Sequence, residues 1–267
     1  MKTARALALT LALTSALGGL AITSWPALAA DGYLTAETLP DATRIVPPPP
    51  APGTGVAADD KAAFFSSRKL KDTPRWEMAT RDAAESPEAS FIHFACALGV
   101  TLDDGTAPAL SNLLNRVHKD ESAITDPPKE HFGVRRPYVD LPGDICTERN
   151  PDKSPSLSYP SGHTTLGWAT GLILTELAPD RATEILSRAR VYGESRVACG
   201  VHYPSDIEAG RTNGAALVAA LHGNPEFRAD LERARGEVAA ARKKGSAYMP
   251  DPSQCQLEKD AAAQRPW

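Results

Sequence analysis

The stretch from His163 to Leu177, HTTLGWATGLILTEL, constrains this chain more than any other. Apart from His163, its one acidic or basic residue is Glu176. A helix that is apolar on nearly every side has to be wrapped by other elements, and this one is too short to cross a bilayer. The neighbouring segments read as the wrapping. Pro87 to Val100 (PEASFIHFACALGV) has the pattern of a buried helix, and Leu110, Leu113, Leu114 and Val117 recur at the spacing of one helical face. Ala182, Ile185, Leu186 and Ala189 do the same over residues 181–197, and residues 205–222 form an Ala-rich helix. Asn224-Pro225 is a cap followed by a first-turn proline, ahead of a face made by Phe227, Leu231 and Val238. The charged remainder of 229–244 reads as a solvated side. No alternating strand pattern and no internal repeat interrupts the series. The expectation is therefore an all-α, single-domain helical bundle over residues 61–245. Residues 31–60, with Pro47 to Pro50 and Pro52, form a Pro-rich arm that covers the bundle or tethers it; 246–267 is a tail. Residues 138–159, broken by Pro and Gly, read as loop.

The first thirty residues stand apart. Lys2 and Arg5 precede an uncharged run over 6–23, and Ala27-Leu28-Ala29 follows as a small-x-small pattern. This layout reads as a secretory signal peptide cut near Ala29 or Ala30 rather than as a membrane anchor. No later stretch is long and apolar enough to span a bilayer. The chain is then expected in the periplasm or outside the cell. Of 29 basic residues, set against 33 acidic ones, cleavage removes Lys2 and Arg5, taking the net charge from −4 to −6. That balance argues against a nucleic-acid partner. Export makes disulfides the natural state of Cys96, Cys146, Cys199 and Cys255, which allow three connectivities. Their wide spacing, with no C-x-x-C, argues against structural zinc.

Three short clusters carry chemistry: KEHFGVRRP from Lys129, SYPSGHT from Ser158, and SRVACGVHYPSD from Ser195 to Asp206. Each alone is weak. Together they supply what phosphoryl transfer requires, because charge spread over three equatorial oxygens is stabilised by fixed cations and N–H donors. Lys129, Arg136 and Arg196 provide cations, and an Arg fork can grip two oxygens. Ser161 and Gly162 stand where a loop enters a buried helix, so their N–H groups can face an anion. Of the two histidines, one can attack phosphorus and the other protonate the leaving oxygen. Asp206, four residues after His202, can fix an imidazole tautomer.

This pattern, K-x6-R-P, then P-S-G-H, then S-R-x5-H-x3-D, resembles the signature of the type 2 phosphatidic acid phosphatase (PAP2) superfamily. That superfamily takes in bacterial acid phosphatases, lipid phosphatases and vanadium haloperoxidases. The runs GWATGLILTELAPDRATEIL and GESRVACGVHYPSDIEAGR, with the NPEF-containing helix, are similar to the class A bacterial non-specific acid phosphatases. The resemblance covers roughly residues 105–240. It implies a PAP2/haloperoxidase-type helical fold and a phosphomonoester hydrolase that needs no metal or other cofactor. It implies His202 as nucleophile forming a phosphohistidine, His163 as general acid and Asp206 as the partner of His202. Lys129, Arg136, Ser161, Gly162 and Arg196 would bind phosphate, or vanadate in its place. It also implies the pairing Cys146–Cys199, leaving Cys96–Cys255, and points to a homodimer. Arg135 reads as a surface charge, and His93, His118 and His131 as incidental. The alternatives are a vanadium-dependent haloperoxidase, for which the chain is short, and a lipid phosphatase, which usually has several spans. A periplasmic phosphate- or metal-binding protein is the reading from outside the superfamily.

Overall fold

The computed structural model describes residues 31–148, 156–245 and 249–267; the expected signal peptide, 1–30, lies outside the described residues. The short opening elements are α1 (Ala42–Ile45), α2 (Gly55–Ser67), α3 (Pro74–Arg81) and α4 (Pro87–Leu98). The bundle continues with α5 (Pro108–Phe132), α6 (Pro137–Asp140), α7 (Gly162–Leu177), α8 (Ala182–Cys199), α9 (Pro204–Leu221) and α10 (Pro225–Lys243), and α11 (Pro252–Ala263) closes the chain. Among the described residues β pairing is limited to one isolated bridge, Arg135 to Leu157. The fold is all-α.

Local sequence explains where the helices begin. Thr73, Ser86, Asn224 and Asp251 each accept a first-turn N–H and are each followed by proline, at α3, α4, α10 and α11. The side chain satisfies a donor the helix leaves open, and proline has no N–H to lose there. Glycine closes α4, α5 and α8 at Gly99, Gly133 and Gly200, all at positive φ.

Helix α7 is the centre, with Leu166, Ala169, Ile173, Leu174 and Leu177 buried. Helices α8 and α9 press closely on it. A side chain at Gly171 would come within 2.5 Å of the Ala189 Cβ, and one at Gly214 within 2.6 Å of the Thr165 carbonyl oxygen. Glycine at these positions sets how near the helices approach. On the other side, Leu110, Leu113 and Val117 of α5 meet Phe227, Leu231 and Val238 of α10 in one apolar cluster.

The Pro-rich arm lies on this bundle and also enters it. Tyr33 and Ala42 belong to the main core. The Tyr33 N–H donates to Asp120 (2.8 Å) and its hydroxyl to Asp230 (2.6 Å). The Arg116 guanidinium sits 3.8 Å from the Tyr33 ring centroid. The tail forms α11, which Cys255 joins to Cys96 of α4; a second disulfide joins Cys146 to Cys199. These crosslinks span 159 and 53 residues, and a link of this kind contributes about 2–4 kcal/mol by restricting the unfolded chain.

Candidate active site

Helix α5 from His118 to Glu130, the first turn of α7 and the last turn of α8 line a cavity of about 750 Å³, with Lys129, Arg136, Gly162, His163 and Arg196 on its wall, whereas His202 and Asp206 are fully buried and are not among the lining residues. The three basic residues thus reach one wall from separate parts of the chain. Arg196 is 4% exposed, and its Nε and Nη1 make no hydrogen bond among the described residues. Burial pushes its guanidinium down to about 10, and neighbouring Arg136 adds to that. A buried guanidinium with unpaired N–H groups is costly unless an anion accepts them. Lys129 Nζ lies 3.2 Å from where a Cβ on Gly162 would be, so the ammonium abuts the N-terminus of α7. Positive charge and helix dipole therefore favour an anion at the same point.

His202 is fully buried. Its Nδ1 is 3.1 Å from Asp206 Oδ2, and its Nε2 is 3.0 Å from Arg136 Nη1. A guanidinium can only donate, so Nε2 offers its lone pair and Nδ1 carries the proton towards the carboxylate. Burial, with Arg136, Arg196 and Lys129 nearby, holds the His202 pKa well below the usual histidine value. A neutral imidazole with its lone pair on Nε2 has the form of a nucleophile. Asp206 caps α9 by accepting the Tyr203 N–H (2.8 Å), and also accepts the Ser158 hydroxyl (2.7 Å). Burial raises its carboxyl to about 7 against those hydrogen bonds.

His163 sits in the first turn of α7 beside a second carboxylate. Its Nδ1 is 3.0 Å from Glu85 Oε2, and its Nε2 is 3.1 Å from the Ala83 carbonyl. A carbonyl can only accept, so Nε2 carries a hydrogen, and Nδ1 shares a proton with Glu85. Burial and then Arg196 push the His163 pKa well down, while burial raises that of Glu85.

Comparison with known proteins gives this geometry its context. The PAP2 superfamily pattern matches residues 105–228. An acid phosphatase of Zymomonas mobilis is 42% identical over 80% of this chain and 81% of its own length. Non-specific acid phosphatases of Providencia stuartii and Salmonella typhimurium are 36% and 34% identical, over 79% and 72% of this chain and 86% and 78% of theirs. This chain belongs to the PAP2 superfamily. It stands with the acid phosphatases of that superfamily and is a phosphoric monoester hydrolase. A transmembrane PAP2-type phosphatidylglycerolphosphate phosphatase from Bacillus subtilis aligns with a TM-score of 0.47 at 20% identity, over 71% of this chain and 92% of that one. Among the described residues, no helix of this PAP2 protein is long and apolar enough to cross a membrane.

Two serines of the PAP2 motif commit their side chains to structural hydrogen bonds. Ser161 accepts the Thr164 N–H at 3.3 Å as the cap of α7, and its own N–H donates to the Asp206 carbonyl. It is buried, as His202 is, and its hydroxyl is committed to the first turn of α7, so its side chain holds the helix end in place. Ser195 faces away, donating to buried Asp82 (2.6 Å) and accepting from buried Arg75 (2.9 Å). Asp82 also pairs with Arg188. This buried network pins the loop that presents Ala83 and Glu85 to His163. Arg135 is exposed and pairs with Asp140.

Sequence reading missed Glu85, Glu121 and the part played by His118. His118 lines the cavity rather than being incidental. His93 packs against Asp82, 3.6 Å away, and His131 is not among the lining residues. Glu85, His118 and Glu121 each offer a ligand atom within 4.8 Å of the other two, close enough to hold a cation. Burial and nearby Glu85 push the Glu121 carboxyl up to about 8. The spacing Glu121, Thr125, Lys129 puts all three on one face of α5 and is a signal that was there to be read. No local pattern announces Glu85, which reaches His163 across 78 residues.

Proposed function

We propose that this chain is an exported, metal-independent acid phosphatase that hydrolyses phosphomonoesters through a phosphohistidine at His202. The observation that carries this reading is the buried His202. Its Nε2 lies on the cation wall, its Nδ1 is held by Asp206, and unpaired Arg196 stands beside it. Arg196, Lys129, Arg136 and the α7 N-terminus hold the phosphoryl oxygens and oppose their growing charge. Nε2 of His202 forms a bond to phosphorus as the ester P–O bond breaks. The departing oxygen takes the proton that His163 Nδ1 shares with Glu85. Asp206 stabilises the charge that develops on His202. Water then attacks the phosphohistidine, giving a proton back to His163, and the P–N bond breaks to release phosphate. The three cations take the charge-neutralising role that metal ions play elsewhere. Two disulfides and the signal-like N-terminus support an oxidising, extracytoplasmic location.

The test is release of phosphate from p-nitrophenyl phosphate with chelator and with vanadate. Turnover unaffected by chelator and blocked by vanadate is expected. Loss of turnover in chelator, restored by a divalent metal, would contradict the metal-independent reading.

A further inference from the structure

One carboxyl stands where the site is otherwise built for an anion. A Cβ on Gly162 would lie 3.1 Å from Glu121 Oε1 and 3.2 Å from Lys129 Nζ, so a carboxyl and an ammonium share the start of α7. Gly162, with no side chain, leaves room there for both head groups. Glu121 reaches this point from α5, about two turns before Lys129 and on the same face. It is 4% exposed, yet lines the cavity together with Lys129, Gly162, His163 and Arg196. An ionised carboxylate at this place would repel the phosphate that Lys129, Arg196 and the helix end attract. A neutral carboxyl carries an O–H instead, and adds a donor to the cradle.

We propose that Glu121 is a further phosphate-binding residue, whose neutral carboxyl donates a hydrogen bond to a phosphoryl oxygen beside Lys129. The proposal rests on the phosphatase reading above and adds a residue to its site. Burial pushes this carboxyl up to about 8, and the like charge of Glu85 adds to that. The other groups around Glu121 come from every neighbouring element. Its own helix brings His118, Thr125, Asp126 and Lys129; the Thr125 hydroxyl and Lys129 favour the charged form, and Asp126 opposes it. Glu85 comes from the loop after α3, His163 from α7 and Arg196 from α8, while Asn213 of α9 donates to the Thr125 hydroxyl (3.2 Å). A bound phosphate adds one more negative charge beside Glu121, so the proton and the phosphate favour each other's binding. The proton stays on Glu121 as a hydrogen bond, and the leaving oxygen still takes its own from His163. Phosphate binding should therefore weaken as pH rises through the ionisation of Glu121.

Calorimetric titration with inorganic phosphate tests this without relying on turnover. Near pH 6, Glu121→Ala should weaken phosphate binding by about tenfold or more, the loss of one hydrogen bond to a charged group. Glu121→Gln keeps an N–H donor at the same place and should weaken it by only about threefold. By about pH 9 the parent's carboxyl is ionised and the order should reverse, with Glu121→Gln binding phosphate more tightly than the parent. The ratio between these two proteins cancels the titration of phosphate itself and of the groups they share. Should Glu121→Ala fail to fold, this pH comparison carries the test. Tighter binding in either variant near pH 6 would overturn the proposal, because Glu121 would then be an anion competing for the same place. Unchanged binding in a folded Glu121→Ala would overturn it as well, as would a parent-to-Gln ratio that is the same at both pH values. Failure of the parent to bind phosphate at all would instead overturn the phosphatase reading, and this inference would fall with it.

Discussion

The site contains two histidine–carboxylate pairs, and they are built in opposite ways. His202 and Asp206 lie four residues apart, fully buried, with the carboxylate held by Ser158 and the Tyr203 N–H. His163 and Glu85 come from distant segments, and Glu85 keeps 30% of its side chain exposed to the cavity. The first pair fixes a neutral ring with its lone pair towards the cation wall, which suits a nucleophile. The second leaves a proton between two groups at the edge of the solvent, which suits an acid that must be recharged every cycle. The same two side-chain types thus take different roles through burial and the direction of their second hydrogen bond.

Substitutions separate the pairs. His202→Ala should have the largest effect, a loss of about 10⁴-fold or more in kcat, since it removes the imidazole whose Nε2 lone pair faces the Arg136 guanidinium. Asp206→Asn should follow at about 10³-fold, because an amide can hold the wrong tautomer while leaving the fold intact. His163→Ala should cost about 10²-fold on alkyl esters and much less on p-nitrophenyl phosphate, whose leaving group needs little protonation. If both ester types lost equally, His163 would not be the acid. Glu85→Gln should cost about tenfold and move the alkaline limb of the rate profile, whereas Asp206→Asn should lower the whole profile.

Glu121→Gln should have the smallest effect on p-nitrophenyl phosphate turnover and a distinct effect on stability. The folded chain holds the Glu121 proton up to about pH 8, while an unfolded glutamate releases it near 4.5. Between those values the folded state binds more protons than the unfolded state, so this group's contribution to stability falls as pH rises. The variant should be more stable than the parent at pH 8 by about 2–4 kcal/mol, and the gap should close towards pH 4.5. Urea unfolding at the two pH values measures it.

The contrast between the pairs also explains what could be read from the sequence. The core helices were legible because their faces are periodic and, for α10, because the start is written in Asn224-Pro225; α2 and α3 were not read, although Thr73-Pro74 carries the same capping signal. His202 and Asp206 were legible because their spacing is one helical turn. Glu85 was not, because its contact with His163 depends on how the Asp82–Arg188 ion pair anchors a loop against α8. The role of Ser161 as the cap of α7 depends on which way a hydroxyl turns. The contribution of Tyr33 was also hidden, since a Pro-rich surrounding gives no periodic signal for a single buried ring. Helix α11 had none either; its place is set by Cys255.

The proposed mechanism turns on buried His202 attacking phosphorus and carrying the phosphoryl group. Rapid quenching of the enzyme with p-nitrophenyl phosphate into alkaline denaturant, followed by mass spectrometry of its peptides, tests this directly. A phosphoryl group on His202, absent in His202→Ala and lost on acid treatment, is expected. Phosphate found on another residue, or none at all alongside inverted configuration at a chiral phosphorus, would contradict it.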